Sequence, residues 1–335
     1  MPWSEIRGQE PAISQLRPAI ERGRVGHAYL FYGPKGVGKR TTARVFAQAL
    51  TCREEPENGG CGKCRTCRNI EGGSYPDLHL VSSEGSLRME HTQQIIRQAF
   101  ISPLEGERRI FIVLEVEKLT PEAGNNLLKV LEEPPGDSVF ILTTTSLPGV
   151  LPTIRSRCLP VGFSPLSDQL VLELVREKGW AESGPESLVV NMAGGSPGAA
   201  SAVMQSGGLL SVREESMSLI ELLAQAVKSP GGKVKSELTR VQLEVRLRVM
   251  ASLFRDLLVW QKTGTEELLI NRDQIEFIKR QAGHWNSPMR CLEIIENTNR
   301  RLAQNANLPL LWEVCWLELA EHRGGFYADS RRSTV

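Results

Sequence analysis

Gly33-Pro34-Lys35-Gly36-Val37-Gly38-Lys39-Arg40 is the stretch that decides the fold. An apolar run, Ala28-Tyr29-Leu30-Phe31-Tyr32, precedes it and reads as a buried strand, and residues 41–50 follow with helical spacing. A strand, a loop of the form G-x-x-x-x-G-K and a helix together make a phosphate cradle. The glycines let backbone N–H groups turn inward, the helix N-terminus adds partial positive charge, and Lys39 reaches the outer phosphates. The next position departs from the pattern: Ser or Thr there holds Mg²⁺ through a hydroxyl, and this chain has Arg40, with Thr41 following. A nucleotide site is therefore expected from Gly33, Gly36, Gly38, Lys39, Arg40 and Thr41, with hydrolysis a separate question.

The alternation continues outward from the loop. A helix is expected over 3–26, with Ile13, Leu16 and Ile20 at helical spacing. Leu78-His79-Leu80-Val81 reads as a strand, a helix follows around 89–101, and 109–115 is the continuous apolar run of a strand inside a parallel sheet. In ATPases built on this loop such a strand ends in Asp, which holds Mg²⁺, and Glu, which orients the attacking water. Here Leu114 takes the first place and Glu115 the second, and leucine coordinates no metal. Pro121 opens a helix that runs to Pro134-Pro135. Residues 139–143 form a further strand ending at Thr144 and Thr145, whose hydroxyls fall at the ligand-binding edge of an open α/β sheet. This pattern predicts a doubly wound, mostly parallel α/β sheet over residues 1–164.

Four of the seven cysteines crowd together as Cys52-x8-Cys61-x2-Cys64-x2-Cys67, in a glycine-rich insert over 51–68. In a reducing compartment that crowding points to metal rather than disulfides. Four thiolates suit a tetrahedral Zn²⁺ with no open position, so structural zinc is the expectation; an iron–sulfur cluster, a redox dithiol or no metal are the alternatives. Cys158, Cys291 and Cys315 sit in apolar contexts and read as core residues.

With 40 basic and 39 acidic residues the net charge is +1, which gives no global argument for wrapping nucleic acid. The N-terminus lacks a signal-peptide core and no run approaches ~18 apolar residues, so a soluble cytoplasmic protein without membrane association is expected. From residue 165 the pattern is purely helical. A small group spans 165–207 and contains Gly194-Gly195-Ser196-Pro197-Gly198; long amphipathic helices then fill 208–325, including 241–260, Pro288–Ala303 and 310–322. Trp312 and Trp316, four apart, share a helix face. Gly/Ser/Pro-rich pieces at 206–208 and 229–232 read as linkers or loops, and 326–335 as a flexible tail.

Several motifs then assemble in order: Gly8-Gln9-Glu10, His27-Ala28-Tyr29-Leu30-Phe31 running into the glycine loop, the four-cysteine insert, Leu127-Leu128-Lys129-Val130-Leu131-Glu132-Glu133-Pro134-Pro135, Ser156-Arg157-Cys158, and Asn307-Leu308-Pro309-Leu310. In this set and spacing the chain resembles the clamp-loader subunits of bacterial DNA polymerase III, members of the AAA+ family. The resemblance implies an AAA+ module with a small helical lid domain at 165–207, and then an all-α collar at 208–325. The collar would pack against the tau/gamma and delta subunits, with further contacts through the AAA+ faces. The sliding clamp would be met weakly or indirectly, and primed DNA through the assembled complex. The resemblance also implies that Arg157 reaches a neighbour's ATP as a finger in trans, where a guanidinium is worth roughly 10³–10⁵ in rate.

The departures from the family pattern bear on chemistry. Its motor subunits, tau/gamma, carry Lys-Thr in the loop, Asp-Glu at the strand end and Gly-Ser-x-Arg at a helix start; this chain has Lys39-Arg40, Leu114-Glu115 and Gly195-Ser196-Pro197-Gly198. Loss of the hydroxyl and the carboxylate removes the Mg²⁺ site, since metal positioning dominates phosphoryl transfer. The implied role is a non-hydrolysing, stator-like subunit, with ATP or ADP binding at Lys39 left open. The alternative is a divergent, ATP-hydrolysing tau/gamma-like motor subunit.

Overall fold

Five apolar runs form one sheet: β1 (Ala28–Tyr32), β2 (Leu78–Val81), β3 (Arg109–Val113), β4 (Ser138–Thr144) and β5 (Leu159–Gly162). All neighbours are parallel, in the order β2-β3-β4-β1-β5. The computed structural model describes residues 2–83, 85–179, 186–205, 209–225, 239–303 and 306–323. The expected linkers at 206–208 and 229–232 and the tail at 326–335 lie outside the described residues. Two compact units emerge, Met1–Leu170 with Gly195–Gly198, and Val171–Gly194 with Ala199–Val335.

Strand alternation divides the first unit's core between the sheet's two faces. Tyr29, Phe31, Ile110, Ile112 and Ile141 point to one face, where α1 (Glu10–Glu21) and α2 (Lys39–Thr51) cover them with Leu16, Val45 and Phe46. A short α3 (Arg65–Glu71) follows α2. Leu30, Phe111, Val113, Phe140 and Leu142 point to the other face, under α4 (Met89–Ala99), α5 (Pro121–Glu132) and α6 (Pro152–Arg155). Each large apolar side chain fully buried this way contributes roughly 1.5–3 kcal/mol. Tyr32 pairs with Thr144, so the loop leaving β1 emerges beside the end of β4.

Asp77, fully buried ahead of β2, accepts from the N–H groups of Leu104 (2.7 Å), Glu105 (2.9 Å) and Gly106 (2.9 Å) and so fixes the segment between α4 and β3. Burial pushes its carboxyl up, but those three donors and the Arg109 guanidinium outweigh burial and hold it below its ordinary 3.8.

Boundaries differ from the sequence pattern where backbone geometry intervenes. The helix expected over 3–26 is split: a 3₁₀ turn at Trp3–Glu5, a break at Gly8 (φ 74°), then α1. The strand expected over 109–115 stops at Val113, because Glu115 adopts φ 55° and turns the chain into the 3₁₀ helix Val116–Lys118. Two elements escaped the pattern. The loop-like composition of the cysteine insert hides α3, and Pro160 hides β5, an edge strand where proline is tolerated.

The second unit is helical. Most of α7 (Asp168–Glu177), α8 (Glu186–Ala193) and much of α9 (Pro197–Gln205) lie in it, with α10 (Leu209–Ala224), α11 (Arg240–Thr263), α12 (Ile275–Ala282), α13 (Pro288–Ala303) and α14 (Leu308–Ala320). The long α11 packs against α10, α12 and α13. A Thr239–Gln242 capping box starts it and Gly264, at φ 63°, ends it. Asp256 on α11 is fully buried and accepts from the N–H groups of Ile270 (3.0 Å) and Asn271 (2.8 Å) and from Asn271 Nδ2 (2.8 Å). Trp312 and Trp316 are both buried on α14, ring centres 6.3 Å apart. Among the described residues no helix is long and apolar enough to cross a membrane.

Candidate functional site

The glycine loop runs from β1 to α2 as the motif requires. Gly36 and Gly38 have φ values of 77° and 107°, which only glycine adopts readily, and Gly33 could carry no side chain because a Cβ there would lie 2.2 Å from the Phe163 carbonyl oxygen. Gln9, Ser196 and Gly198, all distant in the chain, brace the loop. Gln9, buried, donates from Nε2 to the carbonyls of Val37 (3.1 Å) and Ser164 (2.8 Å). Ser196 Oγ donates to the Lys35 carbonyl (2.8 Å), and Gly198 N–H donates to the Gly36 carbonyl (3.0 Å). A Cβ on Gly198 would come within 2.7 Å of Gly36 Cα, so glycine at this position is what lets the helix start touch the loop.

Lys39 is buried at the start of α2, and its ammonium donates to the carbonyls of Gly33 and Pro34, both at 2.6 Å. Burial lowers its pKa, against the opposing pull of the Glu117 and then the Glu115 carboxylates. Arg40 is exposed and Thr41 half-buried. At the end of β3, Leu114 packs against the apolar core and its N–H bonds the Val81 carbonyl. Glu115 pairs with Lys118 at 2.7 Å, and its N–H donates to Thr143 Oγ1 (3.1 Å). Thr144 is buried, and its hydroxyl is engaged with the backbone of Ser146. Sequence reasoning missed Glu117, whose Oε1 accepts from both the N–H (2.8 Å) and the hydroxyl (2.5 Å) of Thr145. Only its place two residues beyond Glu115 could have signalled it.

Arg157 stands between α6 and β5. Its Nη1 donates to the Thr153 carbonyl (2.9 Å) and Ser156 Oγ (3.3 Å), and its Nη2 lies 2.6 Å from Glu132 Oε1 at the end of α5. The side chain is 34% exposed.

The sulfurs of Cys52, Cys61, Cys64 and Cys67 all lie within 4.8 Å of one another. Tetrahedral zinc with bonds of about 2.3 Å would draw sulfurs to about 3.8 Å, so the four are already grouped for such an ion. Backbone N–H groups point at them: Glu55 and Cys61 at Cys52 Sγ, Lys63 and Cys64 at Cys61 Sγ, Cys67 at Cys64 Sγ. Burial raises the Cys52 thiol, but the N–H donors of Glu55, Cys61 and Glu54 reverse this and bring it down to about 7; burial raises Cys67. A donor set of four thiols surrounded by N–H groups stabilises thiolate charge, which a soft divalent ion requires. Gly60, at φ 101°, threads between Gln48 and Cys67, where a Cβ would stand 3.0 Å from each.

Parallel strand order, glycine loop and the arginine before β5 define a P-loop module of the AAA+ clamp-loader class. Family models described as DNA polymerase III, delta subunit, and as the C terminal of that subunit match residues 8–167 and 212–321. The chain is 30% identical over 334 residues to DNA polymerase III subunit delta-prime of Bacillus subtilis, spanning 95% of this chain and 98% of that one. It is 34% identical over 202 residues to the gamma/tau subunit of Mycobacterium bovis, which is 58% of this chain and 35% of the relative. A solved gamma subunit-related protein of Thermotoga maritima aligns over 93% of this chain and 99% of that chain, at 18% identity and a TM-score of 0.44. The chain belongs to the DNA polymerase III delta-prime family.

Proposed function

We propose that this clamp-loader subunit is stator-like: it does not hydrolyse ATP, it assembles with tau/gamma and delta subunits in the cytoplasm, and it supplies Arg157 in trans to a neighbour's ATP while the sliding clamp is loaded on primed DNA. The observation that carries this is Leu114. Its half-buried side chain packs against the core at the strand end where a motor's aspartate would hold Mg²⁺. The nearest substitute, Glu115, is committed to Lys118. Without an anchored metal, charge on the transferring phosphoryl group goes uncompensated, which removes the main source of rate. The exposure of Arg157 favours action beyond its own chain.

Cys52, Cys61, Cys64 and Cys67 would hold one structural Zn²⁺, which replaces the missing apolar core of the insert and supplies no chemistry. The collar role falls to the helices within 208–325, where Leu310 and Leu317 are exposed two turns apart on α14.

Two measurements test the reading. The purified chain should give no ATP turnover above background; turnover lost on Lys39→Ala would establish the motor alternative instead. In a loader reconstituted with gamma/tau and delta subunits, Arg157→Ala should lower ATP turnover, and unchanged turnover rejects the finger.

A further inference from the structure

The Glu132-Glu133-Pro134-Pro135 end of α5 has no part in the function proposed so far. Its placement gives it one. Of the groups that hold the Arg157 guanidinium, Thr153 and Ser156 belong to its own turn, and Glu132 comes from a different element at 2.6 Å. α5 ends at Glu132 with Glu133 as its C-cap, and Pro134 and Pro135 follow and prevent its continuation. Glu132 therefore sits in the last turn, where the helix's unsatisfied carbonyls add negative potential beside the cation.

The pair lies at the surface, with Arg157 34% and Glu132 48% exposed, so a neighbouring molecule can reach it. A guanidinium has five N–H groups. Nη1 uses both of its own within the chain, and Nη2 faces Glu132. The Nε–H and the second Nη2–H form no bond among the described residues, and two such donors are what a phosphate accepts.

We propose that Glu132 is the positioning residue of Arg157: it fixes the guanidinium in advance with two donors left for an incoming phosphate. Losing it frees a side chain with much rotamer entropy and leaves the arginine to be ordered during the reaction. This rests on Arg157 acting as a finger in trans.

The test is steady-state ATP turnover of the reconstituted loader with Glu132→Gln, Glu132→Asp, Arg157→Ala and the Glu132→Gln/Arg157→Ala pair. Glu132→Gln should lower kcat about three- to fivefold, the most that a half-exposed ion pair couples, with KM for ATP unchanged. Glu132→Asp, which keeps the charge, should recover part of the loss. In the Arg157→Ala background Glu132→Gln should change nothing further. Arg157→Ala losing turnover while Glu132→Gln keeps or gains it would overturn the positioning role alone, as would an undiminished Glu132→Gln loss without Arg157. Unchanged turnover in Arg157→Ala would overturn the finger and this proposal together.

Discussion

Asp77 illustrates how much one buried carboxylate can organise. It satisfies three successive N–H groups and lies 3.9 Å from Arg109, so Asp77→Ala would orphan donors as well as a cation, at a cost of about 3–5 kcal/mol in urea unfolding. Because the folded carboxyl titrates below its ordinary 3.8, its contribution is complete above that pH and is lost as pH falls through the folded value. The stability of Asp77→Asn should therefore fall less steeply than wild type below about pH 4. Gly198 offers a second case. In Gly198→Arg the new Cβ would meet Gly36 Cα at 2.7 Å, side chain against unyielding backbone. Overpacking of about 1–3 kcal/mol and no gain of ATP turnover are expected, as melting and hydrolysis assays would register.

At the level of elements, the cysteine insert is where metal substitutes for core. Elemental analysis of the purified chain should give about one zinc per chain, and iron or no metal would overturn the zinc assignment. Cys67→Ser should lose that zinc and lower the melting temperature, since Cys67 lies on α3 and Gln48 of α2 bonds its carbonyl at 3.0 Å. Capping matters for α11: Thr239→Ala removes the acceptor of the Gln242 N–H and should cost about 1 kcal/mol by denaturant unfolding. Strong apolar runs made the sheet legible in the sequence, and 28–32 and 78–81 are strands to the residue. The ends were harder. A left-handed Glu115 and a proline-bearing edge strand obey local geometry that periodicity does not encode.

Across the whole molecule, two compact units should melt as separable transitions in calorimetry. Cys67→Ser should shift one of them, and Asp256→Ala, which uncaps Ile270 and Asn271, the other. The loop, the arginine and the four cysteines could all be picked out from sequence, because each is a motif of close spacing. What holds them in place could not: Gln9 on Val37 and Ser164, Glu132 on Arg157, and Gly198 on Gly36 join residues far apart in the chain. No periodicity links such partners; only the folded chain brings them together.

The bond between Gly198 and the Gly36 carbonyl also sets an order of events during synthesis. At about 5–20 residues per second the ribosome needs on the order of ten to thirty seconds to make the stretch between them. Throughout that interval the residues of β1, the glycine loop and α2 lack the clasp from Gly198, and for most of it they also lack β4 and β5, the strands that β1 pairs with. The N–H that holds the Gly36 carbonyl is thus delivered from the far end of the AAA+ sequence.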